Sequence, residues 1–384
     1  MKNNLKVRAV GIALAVTFPL IICVGPAAAE PAGIVRVAAI LALSGKAEAY
    51  GRSALEGAQI AVDEINATGG VLNHRLGLVL FDNQSTPLHS KQAALAAVKR
   101  KVTGAIGAVW STHSLAVASV LQKAGVPMIS PGSTAPEVTR VGDFIFRSCY
   151  TDDFQGALMA EFAYRDLGFR RAAIMTNISE TYCQTLARYF AAAFTRQGGK
   201  VVYLGDYKGS AVDFSRLLRH LTSLSPQVVF IPGYSQDSGL LIKQAVAMGI
   251  RTTFIGGDAW DVHIRDFAGP ALEGSYFSTH WHPGVPYPRS DTFIELFKKR
   301  FGNERISPFA PLAYDAVWLL ADAIRRAGSL DKRKIRDALA ATHNFPGATG
   351  NFTFNNYGDP LKKGASILKF ENGNWHFYKA FEPK

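Results

Sequence analysis

Short apolar runs alternate with amphipathic stretches along the first half of the chain. Residues 35–43 and 76–81 are predicted strands, and the continuous apolar run at 105–110 is typical of a strand buried on both faces. Stretches with apolar residues at helical spacing follow at 55–65 and 88–102, and Gly69-Gly70 ends the first of them. Strict alternation of strands and helices predicts an α/β fold with a parallel, doubly wound sheet.

The same alternation begins again after a break between residues 144 and 153. A helix is predicted at 181–196, closed by Gly198-Gly199, and further strands are predicted at 172–176, 200–204, 228–232 and 253–255. The C-terminal part contains longer helices and then short antiparallel strands around an Asn372-Gly373 turn. In a chain of 384 residues, this pattern predicts two domains of ordinary size.

The N-terminal segment is typical of a secretory signal peptide. Lys2, Lys6 and Arg8 precede an apolar run over residues 9–24, which is short for a membrane span. Small residues at 27–29 form a cleavage site, so we predict a signal peptide over residues 1–29, cleaved near Ala29, and a periplasmic protein. Cys23 does not fit a lipid-attachment site, because the residue before it is an isoleucine.

The composition is that of a globular chain with a basic surface. Apolar residues make up 48% of the sequence, charged residues make up 19%, and the formal net charge is +12. The positive residues are scattered, as in Arg170-Arg171 and Lys298-Lys299-Arg300, without interleaved aromatic residues. We therefore expect a solvated basic surface and no nucleic-acid partner.

Two cysteines, Cys149 and Cys183, remain after signal cleavage. An oxidising compartment permits a disulfide between them. The sequence leaves open whether their Cα atoms come close enough to form one.

Residues 105–134 form a strand–helix–strand unit in which small hydroxyl residues follow both strands. Ser111 and Thr112 are N-cap candidates for the helix, and Pro131-Gly132 and Thr134 follow the second strand. The carboxyl ends of parallel strands meet at one edge, and a helix N-terminus attracts anions, so this edge suits a small carboxylate or phosphate. Alternatively, Ser111 only caps its helix and Thr134 only shapes a turn.

Sequence motifs of common enzyme classes are absent. The chain contains no dinucleotide fingerprint, P-loop, nucleophile elbow or zincin motif, and Cys183 has no evident histidine partner. His280-Trp281-His282 offers two imidazoles, but without a nearby carboxylate or cysteine this spacing favours a structural role over metal binding. We expect a protein that is not an enzyme and has no cofactor.

Four segments carry a family resemblance when they are taken together. They read NATGGV at 66–71, ISPGSTAPE at 129–137, DFQG at 153–156 and GGDAWD at 256–261. In this order they resemble the branched-chain amino-acid binding proteins, the periplasmic solute-binding components of ABC importers. The resemblance runs from about Val35 to the C-terminus.

The resemblance implies the type I periplasmic-binding fold, in which two α/β lobes form a clamshell. The chain would cross between the lobes near residues 148, 281 and 350. We therefore predict a first lobe from residues 30–148 and 281–350, and a second lobe from residues 149–280 and 351–384.

The resemblance also assigns roles around the charged groups of an amino-acid ligand. Ser111 matches the serine that takes the ligand carboxylate, and Thr134 matches the threonine that touches both carboxylate and ammonium. Gly132 matches the position whose carbonyl accepts from the ammonium. Asp258 stands where an acidic residue pairs with the ammonium, although some members have the longer Glu. The alternative for Asp258 is an N-cap of the following helix.

Aromatic positions complete this implied site. Tyr182 and Tyr234 match tyrosines of the second lobe that close over the ligand, and Tyr50 matches an aromatic residue beside the ligand side chain. Ordinary packing is the alternative for both second-lobe tyrosines. Some members have a disulfide before the binding serine, where this chain has Trp110, with Asn83 near the place of the partner cysteine. The side-chain pocket, with Trp110 in its wall, must therefore have a different shape.

These observations predict an exported, monomeric solute-binding protein. It would capture a neutral aliphatic or aromatic L-amino acid and deliver it to the membrane permease of an ABC importer. Within the same fold, another small solute remains possible, such as an aromatic carboxylate or a short amide. A ligand sensor for a membrane receptor is a further alternative, because sensors and importers use the same clamshell.

Overall fold

The computed structural model describes residues 33–302 and 305–382. The predicted signal peptide over residues 1–29 lies outside these ranges. The strands are β1 (Ile34–Leu41), β2 (Arg75–Asp82), β3 (Gly104–Gly107), β4 (Met128–Ser130), β5 (Ile145–Arg147), β6 (Arg171–Asn177), β7 (Lys200–Tyr207), β8 (Val228–Ile231), β9 (Thr253–Gly256), β10 (Tyr276–Thr279), β11 (Phe345–Gly347), β12 (Gly350–Phe352), β13 (Ala365–Glu371) and β14 (Asn374–Phe381). The α-helices are α1 (Glu48–Ala67), α2 (Pro87–Lys99), α3 (Ser111–Lys123), α4 (Asp152–Glu161), α5 (Thr181–Arg196), α6 (Ser215–Leu224), α7 (Ser235–Ala247), α8 (Ile264–Ala268), α9 (Ser290–Phe301), α10 (Phe309–Ala327) and α11 (Lys332–Ala340).

The strands form two large sheets, which confirms the predicted fold class. The first sheet has the order β2-β1-β3-β4-β5, and all of its pairings are parallel. The second has the order β14-β13-β10-β9-β8-β6-β7 and is parallel from β10 to β7. β13 and β14 extend it as an antiparallel hairpin. Asn372 and Gly373 both have positive φ angles at its tip, as a tight hairpin turn requires.

The chain changes sheets where the sequence pattern breaks. After β5 it leaves the first sheet, and β6 to β10 build the second. Helix α10 then packs against α1, so closely that a Cβ on Gly57 would lie 1.8 Å from the Ala310 carbonyl oxygen. Leu320 of α10 packs over Gly104 of β3. The lobe boundaries at 148, 281 and 350 stay predictions.

Two further findings concern the cysteines and the helices. Cys149 and Cys183 are both buried, and both are free thiols. Across residues 33–302 and 305–382, we find no helix with the length and apolar character needed to span a membrane.

Candidate functional site

The predicted ligand residues lie at the carboxyl ends of strands in both sheets. Ser111 and Thr134 follow β3 and β4 of the first sheet, while Tyr234 and Asp258 follow β8 and β9 of the second. A cavity of about 10 Å³ lies between the two edges, and we call it the inner cavity. Its lining includes Trp110, Ser111, Gly132, Tyr182, Tyr234 and Asp258, together with Val109, Ala259 and Phe309. This volume is close to the minimum for a single water molecule, so the two edges are in near contact.

Ser111 is the first residue of α3, not its cap. Trp110 occupies the N-cap position, and no side chain caps this helix. The expectation that Ser111 and Thr112 cap α3 is therefore wrong, because the helix begins early enough to take both into its first turn. The Ser111 hydroxyl accepts from the Ala135 N–H at 3.2 Å, and the Thr112 hydroxyl donates to Glu180 at 2.8 Å. Without a side-chain cap, the first N–H groups of α3 are left to meet an anion in the inner cavity.

A buried arginine supports the loop that carries Gly132 and Thr134. Arg147 donates to the carbonyl oxygens of Ser133 and Ala135, at 2.5 and 3.0 Å, and to the Asp359 carboxylate at 2.7 Å. Among the described residues, the buried Thr134 hydroxyl has no hydrogen-bond partner. Arg147 thus anchors this loop through its carbonyl groups, and Thr134 does not line the inner cavity.

Gly132 must be a glycine because the space around it is closed. A Cβ at this position would lie 2.7 Å from the Phe309 ring and 2.8 Å from the Val109 side chain. Both side chains also line the inner cavity. A side chain at 132 would therefore push against the walls of the candidate site.

Asp258 is the centre of a buried hydrogen-bond network in the second half. It accepts from Gln155 Nε2 at 2.9 Å, and its other oxygen lies 3.0 Å from His280 Nε2. The alternative of an N-cap is wrong, because Asp258 begins a short 3-10 turn whose N-cap is Gly257. Gln155 Nε2 also contacts the Ser278 hydroxyl at 2.9 Å.

Sequence reasoning missed Gln155 and His280 as members of the site. Gln155 belongs to the DFQG segment used for the resemblance, but its contact with Asp258 spans 103 residues. For His280 the sequence favoured a structural role over metal binding, and no group of three or more metal-ligating side chains occurs in the described ranges. The signal available in the sequence was its position directly after the extended run at residues 275–279.

Asp152 is a second buried carboxyl group that the sequence did not reveal. Its N–H donates to the Thr134 carbonyl at 2.9 Å, and one carboxyl oxygen accepts from the Thr185 hydroxyl. The other oxygen has no partner within the part of the chain that is described. Burial raises the pKa of Asp152 to about 8, and the nearby charge of Asp258 acts in the same direction. Two buried carboxyl groups therefore lie in this region: Asp258, which lines the inner cavity, and Asp152, which does not line it.

Trp110 and Tyr234 line the inner cavity, and Tyr50 packs against both of them without lining it. The ring of Trp110 stacks on that of Tyr234, with centroids 3.5 Å apart and planes 12° apart. Tyr50 meets both rings edge-on, at 5.7 and 5.9 Å. Burial raises the pKa of Tyr50, Tyr182 and Tyr234 well above the usual value, which keeps their hydroxyls neutral.

The Tyr50 hydroxyl bonds across the two halves rather than standing free for a ligand. It donates to the Ala259 carbonyl at 2.7 Å and accepts from the Ser235 N–H at 2.9 Å. The Tyr182 hydroxyl accepts from the Ala259 N–H at 3.4 Å. Tyr50 thus joins α1 to the second half and fixes the aromatic wall.

A larger cavity of about 660 Å³, the outer cavity, lies on the other side of these rings. Tyr50, Trp110 and Tyr234 form one wall. Charged residues of both signs line the rest: Lys46, Glu180, Lys208 and Asp237, with His263 beside them. Its size is within the usual range for small-molecule sites, about 300–1,000 Å³.

Comparison with known sequences gives matches along nearly the whole fold. The profile of the family described as periplasmic binding protein matches residues 34–374. A Leu/Ile/Val-binding protein of Rhizobium johnstonii is 30% identical over 341 residues, which covers 88% of this chain and 92% of the relative. A leucine-, isoleucine-, valine-, threonine- and alanine-binding protein of Pseudomonas aeruginosa is 29% identical over 90% of this chain and 91% of its own length.

Solved structures agree with these sequence matches. A leucine-binding protein of Thermotoga maritima has a TM-score of 0.86 and 36% identity, over 91% of this chain and 99% of that one. A branched-chain amino-acid substrate-binding protein of Streptococcus pneumoniae, in complex with isoleucine, has a TM-score of 0.86 and 28% identity, over 91% and 100%. A benzoate complex from R. palustris, with a TM-score of 0.82 and 20% identity over 91% and 97%, shares the fold.

Proposed function

The chain belongs to the periplasmic binding protein family and is related to the branched-chain amino-acid binding proteins, and from this membership we propose that it captures a neutral L-amino acid between its two halves. It would then deliver the amino acid to the permease of an ABC importer. Members of this family are periplasmic solute-binding proteins rather than enzymes. The mature chain would begin near residue 30, after the signal peptide.

The opposite chemistry of the two edges supports this proposal most directly. The uncapped N-terminus of α3 and the unpartnered Thr134 hydroxyl suit a carboxylate. Asp258 lies across the inner cavity and suits an ammonium group. An α-amino acid carries both groups on one carbon, so it can bridge the edges and hold them together.

Other solutes fit this arrangement less well. A carboxylate without an ammonium group would place its own negative charge beside the buried Asp258 and would offer that side chain no positive partner. An aromatic carboxylate is therefore disfavoured, although the fold itself accommodates such ligands in an R. palustris protein.

A thermal-shift screen of the mature chain tests the ligand class. The screen would include all amino acids, their D-enantiomers as controls for shape, and deaminated analogues as controls for charge. A ligand present at 100 times its dissociation constant should stabilise the protein by about 2.7 kcal/mol. Stabilisation by a deaminated acid, but not by any amino acid, would contradict the proposal.

Small-angle scattering tests the mechanism of capture. The Tyr50–Ala259 and Thr112–Glu180 contacts join the two halves. They must separate for a ligand to enter an inner cavity of about 10 Å³. We expect the radius of gyration to decrease on adding saturating ligand, as in other hinge closures. If calorimetry shows that a ligand binds and the radius of gyration does not change when this ligand is added, the clamshell mechanism is wrong.

A further inference from the structure

The inner and outer cavities are separated by a pair of stacked rings. Trp110 and Tyr234 line both cavities, and their centroids lie 3.5 Å apart. Ser111, Gly132 and Asp258, which are proposed to hold the charged groups of the ligand, also line the inner cavity. A ligand side chain that starts there therefore meets these two rings before it reaches the outer cavity.

The two rings come from opposite halves of the molecule. Trp110 follows β3 of the first sheet, and Tyr234 follows β8 of the second. Opening of the cleft must therefore pull the rings apart and expose two parallel aromatic faces. A planar side chain can pack against both faces at once, whereas a branched aliphatic side chain can present no flat surface to either.

The Trp110 ring is held in place from behind. His113 stacks on it at 5.4 Å, with planes 15° apart, so the three rings form a column. Burial lowers the pKa of His113 to about 4, which leaves a neutral ring behind Trp110. The orientation of Trp110 is thus set before any ligand arrives.

Two polar atoms of this pair have no partners. Within residues 33–302 and 305–382, Trp110 Nε1 and the Tyr234 hydroxyl are buried without a hydrogen bond. A buried polar atom without a hydrogen bond carries a free-energy penalty, which a ligand can remove. Trp110 Nε1 needs an acceptor such as a ligand hydroxyl, whereas the Tyr234 hydroxyl can also accept from a ligand N–H. Beyond the rings, the outer cavity mixes Lys46 and Lys208 with Glu180 and Asp237, which suits a neutral polar edge better than a charge.

We propose that the site selects amino acids with planar aromatic side chains carrying a polar edge, such as tyrosine and tryptophan. The ring enters between Trp110 and Tyr234, and its edge reaches the outer cavity. This inference rests on the proposed function, since it assigns the side chain of the same amino-acid ligand. Trp110 is then the residue that determines specificity.

Calorimetry of the mature protein with leucine, phenylalanine, tyrosine and tryptophan tests the inference. With ring faces on both sides, tyrosine or tryptophan should bind about tenfold or more tightly than leucine. Leucine binding as tightly as the aromatic amino acids would overturn the inference and leave the proposed function intact. Failure of all twenty amino acids to bind would overturn both.

Substitutions of Trp110 provide the second measurement. Trp110→Leu should reduce the ratio of aromatic to leucine affinity by about tenfold, and Trp110→Phe should restore part of that ratio because it keeps a flat face. Trp375→Phe is the matched control, since Trp375 packs on Phe277 and Phe370 and lines neither cavity. A ratio that Trp110→Leu leaves unchanged would overturn the role of the stack, even if Trp110→Leu lowers stability.

Discussion

The two edges of the cleft offer different kinds of polar groups to a charged ligand group. The first edge uses main-chain N–H groups and small residues, with Ser111, Gly132 and Thr134 close together in the sequence. The second edge uses long side chains, and Asp258 meets Gln155 and His280 from distant segments. The first edge is formed by one continuous segment of the chain, whereas the second edge brings together residues from distant segments around the second sheet.

The two edges also differ in how many of their polar groups already have hydrogen-bond partners without a ligand. The Thr134 hydroxyl is unpartnered among the described residues, while Asp258 already has two partners. A carboxylate can accept about four hydrogen bonds, so the two present leave room for an ammonium group. In the proposed complex, the ligand would complete the hydrogen bonds of the first edge and would add to those that the second edge already makes.

The second edge should be more sensitive than the first to a single substitution, because its charge lies on one side chain. A helix N-terminus carries about half a positive charge, spread over several N–H groups. Asp258 carries its charge on one buried side chain, beside the second carboxyl group of Asp152. A single substitution can therefore abolish the charge of the second edge, but it can only weaken the first.

The largest expected effect follows from Asp258→Asn. Asn keeps the shape of the side chain and removes its charge, so the ligand ammonium would be buried without its main partner. The loss in binding free energy should be about 2–5 kcal/mol for the best amino-acid ligand. Isothermal titration of the wild type and the variant measures this difference.

The deaminated analogue of that ligand is the control for this prediction. It has no ammonium, so Asp258→Asn should leave its affinity unchanged or raise it, because a repulsive charge has been removed. Equal binding of the amino acid to both proteins would show that the second edge does not hold the ammonium.

The contrast between the edges also explains what the sequence could predict. Strands and helices came from local apolar patterns, and the predicted helix 181–196 coincides with α5 (Thr181–Arg196). The first edge was accessible because strand ends and a helix start lie within one continuous segment. The prediction for this edge was wrong only about the helix start. The sequence predicted Ser111 or Thr112 as the N-cap of α3, but the helix begins at Ser111, so both residues lie in its first turn.

The second edge was only partly accessible from sequence, for a physical reason. Asp258 was found at the end of a predicted strand, but its partners depend on which strands are neighbours. His280 reaches Asp258 because β10 lies beside β9, and Asp152 reaches Thr134 because the chain crosses between the sheets there. A periodic pattern does not encode strand order, so these contacts required the fold.

A smaller effect is expected at the first edge from Ser111→Ala. The hydroxyl is one donor among several, because the N–H groups of α3 remain. A hydrogen bond to a charged carboxylate contributes about 1.5–3 kcal/mol, so affinity should fall by that amount at most. Calorimetry gives the affinity, and thermal unfolding gives the stability of the same variant.

Thr185→Val is a useful comparison for Ser111→Ala. It removes a buried hydroxyl that bonds to Asp152 outside the carboxylate edge. If Ser111→Ala lowers stability as much as Thr185→Val and leaves affinity unchanged, Ser111 has only a structural role.

The smallest effect, and the most specific to the second edge, is a pH dependence caused by Asp152. With its pKa raised by burial to about 8, this carboxyl group is protonated in the empty cleft at neutral pH. An ammonium group beside it favours the ionised form, so ligand binding should release a proton. Affinity should rise between pH 6 and pH 8 by about tenfold or less over the whole interval, which is about 1.4 kcal/mol, because Asp152 does not line the inner cavity and would interact with the ammonium group from a distance.

The stability of the ligand-free protein should change in the opposite direction. An unfolded Asp loses its proton near pH 4, whereas folded Asp152 keeps it up to pH about 8. Unfolding in this interval therefore releases a proton, and the free energy of unfolding should fall as the pH rises. Asp152→Asn should flatten both slopes, measured by calorimetry and by denaturant unfolding at each pH. The charges of Asp258 and Arg147 act on Asp152, and His280 lies 3.0 Å from Asp258. A binding slope that survives in Asp152→Asn would show that Asp152 is not the group that releases the proton.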